Sequence, residues 1–155
     1  MPNTTEDEVI RKLRERAARG EIGGIDVTYH VNGGSPAEQE VDEQIQLSGL
    51  GQVKARVRTP AATMRESSET IPIPQLRELL QQIGEGADDL IPRSEARFIP
   101  DSVIGQVSVT IEGQEVSLFF LTDQGQAEQH GKVLSPRAAT AVDSLARLHK
   151  RILHL

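Results

Sequence analysis

Between Ile25 and Val31 every second residue is apolar. Ile25, Val27, Tyr29 and Val31 share one side, and Asp26, Thr28 and His30 share the other. A period of two fits a half-buried strand, not a helix. The alternation returns through Val41, Ile45 and Leu47, with Glu43 interrupting it near its start, and again in "QVKARVRT" from Gln52. The intervening "NGGSPAEQ" and "SGLG" are turn-forming stretches. Residues 25–59 therefore read as three consecutive antiparallel strands, a meander.

A second strand pair follows later in the chain. In "QVSVTIEGQEVSLFFLT" Val107, Val109 and Ile111 alternate with polar residues, and Glu112-Gly113 sits at the turn. Val116 to Leu121 is almost continuously apolar, the expectation for a central strand buried on both faces. Residues 60–70, "DQGQAEQHGK" from Asp123, and the 18 residues "EGADDLIPRSEARFIPDS" show no such period and read as loops. The last exceeds the usual loop length, so it is expected to carry function or hold a short extended piece, pinned by Leu90, Ile91, Phe98 and Ile99.

Three segments carry helical spacing instead. Thr4 to Glu8 has the composition of a helix start, and Val9, Ile10, Leu13 and Ala17 form a thin apolar stripe that stops at Gly20. So thin a stripe predicts weak docking, or docking on a partner. Pro74 opens a second helix whose stripe is Leu76, Leu79, Leu80 and Ile83, ending at Gly84. Ser135-Pro136 opens a third, with Val142, Leu145, Leu148 (or Ala146), Ile152 and Leu155 as its stripe. The predicted order is α-β-β-β-α-β-β-α. It implies an α+β fold, an antiparallel sheet of about five strands with helices on one face. Residues 1–22 form an N-terminal amphipathic helix, and residues 23–155 one α+β domain.

Composition narrows the function. The 155 residues are 37% hydrophobic but only 3% aromatic, with no Trp, so the core must be aliphatic. Single-strand nucleic-acid recognition uses aromatic platforms, and nucleic-acid binders carry a basic footprint. The scarcity of aromatics and a net charge of −6 argue against a nucleic-acid partner. The absence of cysteine removes disulfides, thiolate nucleophiles and Cys-based metal sites. The first 20 residues are too charged for a secretory signal, and no apolar run reaches the roughly 20 residues of a membrane span. A cytoplasmic protein with no membrane partner is the expectation.

No catalytic motif emerges. His30, His130, His149 and His154 make neither HExxH nor an i, i+4 pair, and they read as one strand histidine and three surface ones, so no metal site is assigned. There is no GxSxG elbow, and "GLGQVK" lacks the Walker pattern and enters a strand, not a helix. Asp88-Asp89 and Asp42-Glu43 are paired carboxylates only in sequence and read as solvated. No cofactor is expected.

Two features are candidate partner-binding elements. Lys54, Arg56 and Arg58 place three cations on one side of the third strand, either to grip an acidic ligand or to pair with acids such as Glu43 on the neighbouring strand. They also protect a sheet edge if that strand is one. Gly33-Gly34 at the end of the first strand is either a turn or an exposed tip that enters a partner.

From Ile25 onward the order of parts is a strand ending in Gly33-Gly34, the helix "IPQLRELLQQI", Asp101 in a proline-containing loop, the hairpin "VSVTIEGQEVSLFF" and a helix opened by Pro136. This layout resembles small bacterial proteins of the emfourin type, proteinaceous inhibitors of thermolysin-like metalloproteases, and uncharacterised domains of the same layout. The resemblance covers about residues 25–152 in pattern. The leading helix, the acidic insert 36–44 and the loop 60–70 depart from it. It implies a protease-binding role and transfers no inhibitory residue.

The reading that follows is a non-catalytic protein-binding module, with protease inhibition as its most specific form. A small enzyme using acids with His30 or His130 is the alternative. A third reading is an assembly component such as a homodimer, joined through the Leu13 stripe or the last helix.

Overall fold

The computed structural model describes residues 4–33, 41–58, 64–92, 103–123, 126–129, 132–133 and 136–154. Three helices, α1 (Thr4–Arg19), α2 (Ile73–Gly86) and α3 (Pro136–Leu153), accompany one antiparallel sheet. In chain order its strands are β1 (Ile25–Gly33), β2 (Val41–Ser48), β3 (Gln52–Arg58), β4 (Met64–Thr70), β5 (Ile91–Pro92), β6 (Val103–Ile111), β7 (Gln114–Asp123), β8 (Gln126–Gln129) and β9 (Lys132–Val133). The six longer strands lie in the spatial order β4-β3-β2-β1-β6-β7. The short β5 and β8 pair with different parts of β7, and β9 follows β8.

The period-two pattern becomes the core side of this sheet. Val27 lies between Leu47 and Val109, and Tyr29 between Ile45 and Val107, all buried. The row continues through Val53 and Ala55 of β3. Tyr29 stacks on Phe120 with ring centroids 6.3 Å apart. Gly105, opposite Phe120, leaves room for that ring, and a Cβ there would overlap it.

The helices lie over this side. α1 contacts β6 and β7, α3 contacts β2, β3 and β4, and α2 lies between α1 and α3. The thin stripe of α1 suffices for docking on this chain's own core, since Val9 and Leu13 are fully buried. α1 ends in a Schellman arrangement. Gly20 (φ 77°) donates to the Ala17 carbonyl at 3.3 Å and Glu21 to that of Arg16 at 2.9 Å.

Several loops of the sequence reading are corrected. Residues 64–70 form β4, although its side chains are exposed but for half-buried Ser67. The strand exists because the outer edge of β3 offers unpaired backbone groups, and backbone pairing does not depend on an apolar pattern. α2 runs past Gly84 to Gly86 and into a 3-10 turn, Ala87–Asp89. Gly84 serves close helix packing, not termination, because a Cβ there would lie 3.0 Å from Cγ of Arg14. The long connection contains β5, and the polar stretch after β7 contains β8 and β9. Leu90 is buried as expected of a pin for that connection, while Phe98, Ile99 and Asp101, like Leu155, lie outside the described residues. Val116 to Phe120 is buried as expected, but β7 has only short partners on its side away from β6.

Candidate partner-binding face

The side of the sheet away from the helices is mostly polar over β1 to β4, while towards β6 and β7 it also carries Ile104 and the buried Phe119. β1 contributes Asp26, Thr28 and His30, β2 Asp42, Gln44 and Gln46, and β3 Lys54, Arg56 and Arg58. β4 adds Glu66 and Ser68, while Gln106, Ser108 and Ser117 extend the face beyond β1. A shallow trough of about 770 Å³ runs over β1–β4, with Asp26, Thr28, Gln46, Lys54 and Ser68 in its lining.

The three predicted cations do share this face, and they are not left as a free positive stripe. Lys54 Nζ lies 3.4 Å from Glu66 on β4. Arg56 donates to Oε1 of Gln44 on β2. Arg58 stands opposite Asp42, whose carboxylate turns the other way to His30 at 2.9 Å. Asp26, Asp42, Glu66 and Glu115 balance the cations, so the face carries mixed charge. Each exposed pair contributes about 0–1 kcal/mol. The expected role for Glu43 is corrected. It stands opposite Val57 on the helix side, out of reach of the cations, because neighbouring residues of a strand point to opposite faces.

Gly33 closes β1 between Val41 and Val103, paired in the ladder on both sides. Gly34 lies outside the described residues, as does His130. The structure thus brings Lys54, Arg56 and Arg58 together, with Gly33 at the end of a strand two positions away in the sheet.

His30 is the single described histidine on this face. It is half-buried, and its partner Asp42 fixes the ring. His149 is corrected from surface to core: it is 1% exposed and its Nε2 bonds the Arg56 carbonyl oxygen at 2.8 Å. It falls on the buried stripe of α3 beside Leu145 and Leu148, where spacing alone would have placed it. Asp88 is on the surface, paired with Arg14 at 2.8 Å, and Asp42 and Glu43 face opposite ways. Among the described residues no group of three His, Asp or Glu side chains is placed to hold a metal ion.

Two elements of this face escaped sequence reasoning. Glu66 sits on β4, which has no alternating signal. The network joining Gln106, Ser108 and Ser117 arises where β6 and β7 pair. Gln106 Nε2 donates to Ser108 Oγ at 2.8 Å, and the two hydroxyls are 3.0 Å apart. A longer reach, from Gln106 to Ser117 at 3.3 Å, closes the triangle. Polar residues at alternate positions were visible, but their cross-strand register was not.

No helix of the described residues is long and apolar enough to cross a membrane. No protein-family model matches this chain, and no curated protein matches it in sequence.

Proposed function

We propose that this chain is a non-catalytic protein-binding module that meets its partner with the open face of the sheet. The observation that supports the reading is the division of the sheet. One side is consumed by the core, and the other presents an ordered, mixed-charge polar surface centred on β3. Such a surface fits a protein partner with its own alternating charges better than a uniform polyanion, because its carboxylates screen the cations locally. Inhibition of a thermolysin-like metalloprotease is the most specific form of this reading and rests on the layout of the elements.

The test is a titration of thermolysin-type proteases with the purified chain, beside the variant carrying Lys54→Ser, Arg56→Ser and Arg58→Ser. Stoichiometric inhibition that the triple variant weakens supports both the function and the face. Inhibition that the variant retains moves the contact off β3. Absence of inhibition across a panel removes the protease form. Absence of any specific protein partner for the native chain removes the binding module itself.

The His30–Asp42 pair is the one observation that favours the enzyme alternative. It lies outside the lining of the trough, and its neighbours Gln44 and Gln106 are neither nucleophiles nor bases. An oriented imidazole without a second converging group supports at most proton transfer on an open surface.

A further inference from the structure

The sheet has an edge at β4: no described strand pairs with its outer side. Edge strands are commonly blunted by proline, by bulges or by charged side chains. β4 reads "MRESSET", without proline and with both signs of charge. Its charges complement themselves when the strand is reversed. If a second β4 pairs antiparallel about Ser67, Arg65 of each copy stands opposite Glu69 of the other, twice by symmetry. Shifting the register by two in one direction sets Glu66 against Glu66. Shifting it in the other sets Ser67 against Glu69 and leaves Arg65 beyond the strand. A shift of one would turn the two core sides to opposite faces of the joined sheet. Of the registers that keep the core sides together, the one about Ser67 forms opposite-charge pairs.

A second observation points to the same place. Leu50, Met64 and Ile73 are the exposed large hydrophobic residues among those described, at 68%, 42% and 47%. All three flank β4. Met64 begins the strand, and Ile73 follows its end. Leu50 lies in the β2–β3 turn and precedes Gly51, whose carbonyl accepts from Ile71 at 2.8 Å just past the end of β4. In the reversed pairing Met64 of one copy meets Thr70 of the other, towards its exposed Ile73. An isologous interface needs this property, that residue i meets j and j meets i.

We propose that β4 is a self-association edge, and that two copies of this chain join β4 to β4, antiparallel about Ser67, into one continuous sheet. Residues directly opposite share a face, so both open faces lie on the same side of the dimer and both helix layers on the other. Among the described residues Glu69 makes no ion pair within the chain, whereas Arg65 donates one bond to the Leu153 carbonyl at 2.6 Å and keeps further donors. The pairing uses a different surface from the proposed partner face and does not depend on that reading.

The test is sedimentation equilibrium of the full chain and of Arg65→Glu, Glu69→Arg and a mixture of the two, each checked for folding by circular dichroism. The native chain is expected to dimerise with rising concentration. Either single variant sets like charges opposite each other at two symmetric positions and should weaken association about tenfold or more. The mixture should restore it, because positions 65 and 69 are then both acidic in one variant and both basic in the other. A native chain that stays monomeric at about millimolar concentration, far above the range of specific association, overturns the proposal. So does a dimer that both single variants leave intact, or one that the mixture does not restore. Glu69→Arg keeps the test decisive should Arg65→Glu disturb the α3 terminus.

Discussion

The guanidinium of Arg77 donates through Nε to the Ala17 carbonyl oxygen at 2.8 Å, so a side chain of α2 closes the end of α1. A second Arg77 nitrogen reaches the Ala18 carbonyl. The relationship is reciprocal, because Arg14 of α1 donates to the Gly84 carbonyl of α2 at 2.7 Å. Helix C-termini leave carbonyls unsatisfied and favour cations nearby, so each helix supplies what the other's end lacks. Arg77→Ala is expected to lower the unfolding free energy by about 1.5–3 kcal/mol, the range for hydrogen bonds that involve a charged group. Urea unfolding followed by circular dichroism measures it. Arg77→Lys should recover only part, since an ammonium cannot reproduce the planar fork. A midpoint unchanged in Arg77→Ala would show that the Schellman bonds alone close α1.

Gly105 and Phe120 share one space across β6 and β7. Gly105→Ala puts a Cβ inside the Phe120 ring, which forces the ring away from Tyr29. Overpacking of this kind costs about 1–3 kcal/mol or more. Phe120→Leu alone should also destabilise. In the double variant the two losses should fall short of their sum, because the smaller side chain vacates the space the new methyl needs. A thermodynamic cycle by chemical denaturation gives the coupling, and strict additivity would contradict the shared-space account.

Glu112 occupies a positive-φ turn position (φ 54°) beside Gly113 (φ 79°), as a two-residue type I′ hairpin requires. Its carboxylate meets Lys12 at 2.9 Å and also Arg16, tying the hairpin to α1. The Lys12 hydrogen bond, then the Lys12 and Arg16 charges, hold the Glu112 carboxyl below its ordinary 4.5. The same bond holds the Lys12 amine above its ordinary 10.5, against a smaller opposing effect of desolvation. A lowered carboxyl pKa stabilises the fold above the unfolded value and is lost as pH falls through the folded one. A raised amine pKa stabilises below the unfolded value and is lost as pH rises through the folded one. The stability difference between the native chain and Glu112→Gln should therefore be largest between these limits. It should shrink below pH 4.5 and again above pH 10.5. Unfolding curves across that range check it, and a difference independent of pH would remove the ionic account.

His149 is the polar member of an otherwise apolar helix face, and its bond to the Arg56 carbonyl joins α3 to β3. His149→Leu keeps the bulk but removes the side-chain bond to a carbonyl of the β3 ladder, a loss of about 0.5–1.5 kcal/mol. Thermal unfolding with and without the substitution reads the effect. His149→Gln, able to donate from its amide, should be the milder change. Equal losses in both would assign the effect to packing.

The helix-facing half of this protein is written in local sequence. Alternation at Ile25–Val31 and Val107–Ile111, and the stripes on α2 and α3, are short-range patterns, and one buried side is enough to write them. Lys54, Arg56 and Arg58 were likewise legible as sharing a face, because strand geometry alone places them there. What those residues meet came from packing. β4 carries no apolar pattern, since its strand arises from backbone pairing with β3, so Glu66 could not be seen as the neighbour of Lys54. The destination of the α1 stripe and the partner of His149 depend on residues tens of positions away, and the room Gly105 leaves is measured by a ring on the next strand. Periodicity records that a face is buried; only the packed chain records against what.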